Sequence, residues 1–222
     1  GTYENGLLVT YSYLNKDGTV KEPVNHDSLI DRRELTDYPY DNTRYTYSSK
    51  NLFYEVNGQK LYTGDVFELY KDGGRKGTGI LKGGRLNGLA TSWYESGEKK
   101  SEYNFKDGKI NGLATVWNKN GEKKKEETYK DGKEDGLYTL WYENGQKSKE
   151  GTYKNGKEDG LSTSWYRNGQ KSKEGTFKDG KRDGKWTEWH SIGQKMIEWT
   201  FNDGKEDGLS TSWYRNGQKS KE

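Results

Sequence analysis

Residues Tyr153 to Thr176 read YKNGKEDGLSTSWYRNGQKSKEGT. Within them LSTSWY alternates Leu161, Thr163 and Trp165 with Ser162, Ser164 and Tyr166, the two-residue period of a strand. RNGQ follows, and its Asn168 and Gly169 suit the φ > 0 positions of a tight two-residue hairpin turn. A second strand, KSKEGTF, leads out of the turn and ends at KDGKRDG, where Asp and Gly recur so closely that no helix can continue. The stretch therefore reads as one β-hairpin.

The same stretch recurs. Trp93, Trp117, Trp141, Trp165, Trp189 and Trp213 stand 24 residues apart, and so do Gly88, Gly112, Gly136, Gly160, Gly184 and Gly208. Gly156 to Glu174 returns letter for letter at Gly204 to Glu222, two periods later. Such a period is the signature of a repeat array, in which stability is summed over nearest neighbours. No apolar stripe of helical period occurs in residues 51–222, so the expected fold is all-β, an elongated single-layer antiparallel meander of 24-residue hairpins. Equivalent Trp side chains would stand roughly 9.6 Å apart on one face, two strand spacings, as a buried row.

Outward from the array the period loosens. Gly64, Tyr70 and Gly73 precede Gly88, Tyr94 and Gly97 by one period, so residues 51–222 hold about seven copies. Residues 1–22 look like a degenerate copy, and residues 23–50 like an irregular insertion or linker, with a short helix expected over Asp27–Leu35.

Composition narrows the function classes. Only 27% of the 222 residues are hydrophobic, too few for a two-layer enzyme core, yet eight Trp and 18 Tyr argue against disorder. Lys and Arg number 38 against 35 Asp and Glu and alternate with them, which gives no nucleic-acid footprint. No stretch is long and apolar enough to span a membrane, and the opening GTYENGLLVT has no signal-peptide pattern, so any export signal is expected to have been removed or never to have existed. Without Cys there are no disulfides or thiolate sites.

The segment YKDGKEDGLYTLWYENGQKSKEG, Tyr129 to Gly151, resembles the MORN-variant repeats of bacterial proteins called YwqK-family antitoxin components. NLFYEVNGQKLYTGDVFELYKDG, Asn51 to Gly73, is similar to the entry segment of such arrays. The resemblance implies β-hairpin repeats that mediate interactions, in exported or envelope-associated bacterial proteins. The antitoxin role comes with the family label and with no motif of its own.

Chemistry is sparse. The carboxylates of KEDG (Glu134 and Asp135, Glu158 and Asp159, Glu206 and Asp207) read as turn chemistry, because a calcium loop needs oxygen ligands at alternate positions and a distal Glu. A catalytic pair needs two unlike environments, which a copied motif does not supply. His26 and His190 lie far apart, Gly77 to Gly79 is a weak glycine cluster, and no catalytic or metal motif occurs. No enzyme activity and no cofactor are expected. The aromatic row has two readings, a packing stripe or a surface for sugar rings and apolar side chains.

One hairpin departs from the consensus towards bulk, with Trp186, His190, Ile192, Met196, Ile197 and Trp199. A two-residue turn register would set Trp186 opposite Trp199 and Trp189 opposite Met196, and the patch Trp186, His190, Met196, Ile197 and Trp199 reads either as a partner-binding site or as side chains that cover one another and thicken the sheet. The ends are complementary in register, GTYENG at the start and NGQKSKE at the finish, which predicts head-to-tail self-association. The functional expectation is a non-catalytic scaffold for another protein, at a bacterial envelope or exported, with a cell-wall polysaccharide module as the second reading.

Overall fold

The computed structural model describes residue 61 and residues 63–221, which fall into two compact units divided between Lys109 and Ile110. The expected degenerate copy, the insertion with its helix, and most of the entry segment lie outside the described residues.

The first unit is built of β1 (Gly64–Leu69), β2 (Arg75–Lys82), β3 (Arg85–Leu86), β4 (Gly88–Trp93) and β5 (Lys99–Lys106), all paired antiparallel. Phe67, Leu81 and Ala90 are buried, and the buried Ser92 and Ser101 hydroxyls meet at 2.8 Å.

The second unit carries β6 (Lys109–Trp117), β7 (Lys123–Lys130), β8 (Lys133–Trp141), β9 (Lys147–Lys154), β10 (Lys157–Glu158) and β11 (Gly160–Trp165). It continues through β12 (Lys171–Lys178), β13 (Lys181–Trp189), β14 (Lys195–Asn202), β15 (Lys205–Glu206), β16 (Thr211–Trp213) and β17 (Lys219–Lys221). All pairings are antiparallel between successive hairpin arms, with β10 and β11 both on β9 and β15 and β16 both on β14, so that Thr163 stands opposite both Glu150 and Glu174. The all-β meander of 24-residue hairpins is therefore what this chain forms.

Two kinds of turn alternate, and the two-residue kind is not the one at Asn168–Gly169 where it was expected. At Lys178–Lys181 both Asp179 (φ 50°) and Gly180 (φ 82°) are left-handed and the flanking lysines face one another, the two-residue hairpin expected at Asn168–Gly169. At Asn168–Gly169 only Gly169 is left-handed (φ 81°), while Tyr166 N donates to Gln170 O and Gly169 N to Tyr166 O. That is a three-residue loop with a bulged glycine. Asn168 is there because its Oδ1 accepts the Gln170 N–H at 3.1 Å.

The longer loop shifts the register. Trp189 pairs with Lys195, not with Met196 as the two-residue register required, although Trp186 does face Trp199. Because every three-residue loop repeats this shift, each Trp stands opposite a Lys, as Trp117 does Lys123 and Trp165 does Lys171.

The two sheet faces of the second unit differ. On one lie the residues two places after each repeat glycine and the rings that face the repeat glycines themselves: buried Tyr138 packs on Tyr153 at 4.8 Å, and buried Trp186 on Phe177 at 4.9 Å and Phe201 at 6.3 Å. On the other lie Leu113, Leu137 and Leu161, the buried Thr115, Thr139 and Thr163, and the Trp row. The Trp side chains are half-buried and not the core, because a single layer offers no second sheet to cover them.

Candidate functional site

The hairpin ends are internally satisfied. Tyr142 Oη donates to Trp165 O at 2.6 Å and Tyr166 Oη to Trp189 O at 2.7 Å, one repeat on; Asn144 and Asn168 side chains likewise donate to Arg167 O and Ser191 O. At the opposite edge Gly156 N donates to Glu134 O and Gly180 N to Glu158 O, so each two-residue turn hangs on the one before it. The KEDG carboxylates act here. Asp135 Oδ2 accepts the Asn155 N–H and Asp159 Oδ2 the Asp179 N–H, both at 3.1 Å, which is the turn chemistry expected of them. No group of three or more His, Asp or Glu able to hold a metal occurs among the described residues.

On the face carrying Tyr138, buried Glu127 accepts from Tyr129 Oη at 2.6 Å and pairs with Lys125 at 2.7 Å, and a second polar cluster gathers on Glu158. Glu158 Oε1 accepts from Tyr138 Oη at 2.5 Å and from Lys149 Nζ at 2.6 Å. Burial, then the bond to Glu158, raises the Tyr138 pKa, and burial also raises that of Tyr153. Burial alone would lower the Lys149 pKa, but its bonds to Glu158 and Tyr138 outweigh it and carry it up. The cluster holds Tyr138 in its protonated form as the donor to Glu158.

The hairpin expected to bind a partner is brought together only in part. Trp186 is 3% exposed, and the Arg182 guanidinium lies 4.6 Å above its ring while its Nε1 donates to Thr176 O. Ile197 and Trp199 share its face and are half-buried. Met196 falls at the register shift, and His190 takes the place of the tying tyrosines, its Nε2 3.4 Å from Trp213 O.

The Trp row is covered by cations. Lys123 Nζ stands 5.7 Å from the Trp141 ring centre, Lys171 5.9 Å from Trp189, and Lys195 5.5 Å from Trp213. Each of these lysines also pairs with a Glu three residues on: Glu126, Glu174 and Glu198. Lysine stems lie across the indoles that a ligand ring would need.

What remains open on that face is leucine. Leu113 is 48% exposed, Leu137 53% and Leu161 59%, one per repeat and in the same register, each opposite a Thr (Thr128, Thr152 and Thr176). Sequence reading placed Leu161 in the alternating pattern and stopped there. The signal was the Gly-Leu pair at Gly112, Gly136 and Gly160, because a left-handed glycine (φ 103°, 127° and 107°) begins a bulge that turns the next side chain outward. The fourth position of the row is Lys185, paired with Glu198 at 2.8 Å, so a polar side chain is accepted there by the fold.

Four consecutive segments match the MORN repeat variant. They are residues 86–107, 110–131, 134–155 and 158–179, each starting close to the residue before a repeat glycine. MORN repeats commonly serve as interaction or scaffold modules. No curated protein matches the chain. No helix among the described residues is long and apolar enough to cross a membrane.

Proposed function

We propose that the chain is a non-catalytic scaffold that binds another protein along the leucine-bearing face of residues 110–222. The observation that supports this is the row Leu113, Leu137 and Leu161, about half exposed on strands whose backbone is already fully engaged in hairpins. Covering the exposed half of one leucine is worth about 1 kcal/mol, so three in register make a worthwhile apolar contact. Ile197 and Trp199, on the other face, are in this reading left for a different partner and play no part in binding along the leucine row.

A glycan-binding role is the second reading, favoured by the regular, incompletely buried Trp row and opposed by the lysines over Trp141, Trp189 and Trp213. A bacterial envelope location and an antitoxin-type role rest only on the resemblance carried by Tyr129 to Gly151 and Asn51 to Gly73. Head-to-tail self-association rests in part on residues 1–6, outside the described residues.

The test compares the wild-type chain with L113T/L137T/L161T as paired baits, after thermal melts show both folded. Threonine suits an exposed strand position. Proteins held by the wild type and released by the variant fit the reading. Retention of the same set by both baits ends it, and binding confined to a glycan array moves the assignment to the second reading.

A further inference from the structure

Resting on that reading, we propose what the partner carries: an apolar strip bordered by carboxylates. The leucine row does not end in neutral ground. Two residues beyond Thr152, which faces Leu137, comes Lys154, and Lys157 is paired directly opposite it. The strand alternation sets both on the leucine face, because Glu158 and Tyr153, the adjacent pair, lie on the other. One repeat earlier Lys130 faces Lys133 in the same way.

Like charges directly opposite one another weaken a sheet, so folding gains nothing from these pairs. All four lysines are exposed, and the ammonium group of none of them has an ion pair or side-chain hydrogen bond among the described residues. The contrast with the Trp end of the same strands is sharp: there Lys123, Lys147 and Lys171 each have a Glu partner. The turn between Lys154 and Lys157 is also relieved of its usual acid, since Asn155 stands where the equivalent turns carry Asp131 and Asp179. Asp131 partly offsets the Lys130 and Lys133 pair, and Asp135 is occupied by the Asn155 N–H. The cationic border is therefore strongest beside Leu137 and Leu161.

A segment laid along Leu113, Leu137 and Leu161 would meet unpaired ammonium groups on its turn side. Carboxylates there gain from charges that the fold leaves unspent, and the gain fades with salt. Neutral or basic apolar segments leave those ammonium groups unmatched. The occupant is thus an acidic, amphipathic protein segment.

The experiment uses the full chain and short fluorescent peptides in which leucine alternates with glutamate, glutamine or lysine, read by anisotropy at low and high salt. The glutamate peptide should bind about tenfold tighter than the glutamine peptide at low salt, with the margin shrinking at high salt. K130Q/K133Q/K154Q/K157Q should erase that margin and leave the glutamine peptide unchanged. Equal binding of the glutamate and glutamine peptides overturns the acidic border and leaves the leucine face standing. Undiminished binding of both peptides to L113T/L137T/L161T overturns the leucine face itself. Absent binding of the glutamate peptide, or binding of phosphatidylserine vesicles in its place, also overturns the proposal.

Discussion

Gly175 lies directly opposite Trp186, and a Cβ built on it would fall 2.1 Å from the indole Cδ2. The indole is laid flat over bare backbone, held between Phe177 and Phe201. The bulkiest residue of the departing hairpin is accommodated because the neighbouring strand has no side chain where the ring sits. Gly151 receives Tyr138 similarly, with a Cβ there 2.8 Å from the phenol ring.

Gly175→Ala should therefore cost about 2 kcal/mol through overpacking, and Trp186→Ser more than that through lost burial. In the double variant the alanine meets no ring, so the two costs should fall short of additive by about 1 kcal/mol or more. Urea titrations followed by circular dichroism measure this, and strict additivity would show that the ring avoids Gly175.

Asn118 should be improvable. It occupies the place of the tying tyrosines Tyr142 and Tyr166, and its buried Nδ2 has no partner. Asn118→Tyr puts a phenol in reach of Trp141 O and removes an unsatisfied buried donor, a gain of about 1 kcal/mol. A raised thermal midpoint is the expected outcome; a lowered one would mean that the site cannot take the ring.

Trp141→Ala should cost about 2 kcal/mol, below the figure for a fully buried Trp, since the residue is only part-buried and Lys123 lies over its ring. Lys123→Gln should cost only a few tenths, as befits an exposed pair. Thermal melts decide. Loss of all structure in the Trp141 variant would make the row a core after all.

Alkali should loosen the Tyr138 cluster. The folded pKa values of Tyr138 and Tyr153 lie above the ordinary 10.0, and that of Lys149 above 10.5. Raised values favour the protonated forms in the fold, so this stability is fully present below pH 10.0 and is lost as pH rises through the folded values. In Tyr138→Phe the decline above pH 10.0 should be shallower, measured as the urea midpoint against pH; an unchanged slope would place the sensitivity elsewhere.

The repeat, its length and the hairpin content were legible because the Trp and Gly spacing never slips. The turn types were not. Asn168–Gly169 and Asp179–Gly180 are both good left-handed pairs, and what separates them is the number of residues between paired strand ends, seen only when Trp165 meets Lys171. That one-residue shift also removed Met196 from opposite Trp189. Burial was misassigned for a related reason. Alternation tells which residues share a face but not which face is covered, and Tyr138 and Trp186 are buried where the consensus has only Ser162. The outward leucines were hidden inside a pattern that normally means an inward row.

The central claim is that partners meet the leucine face. A photo-crosslinking amino acid placed at Leu137, and in a second chain at Lys173 on the opposite face, tests it most directly with the leucine and glutamate peptide as probe. Adducts should form from position 137 and be competed by unlabelled peptide, with position 173 silent. Adducts from position 173 alone, or equally from both, would contradict the account.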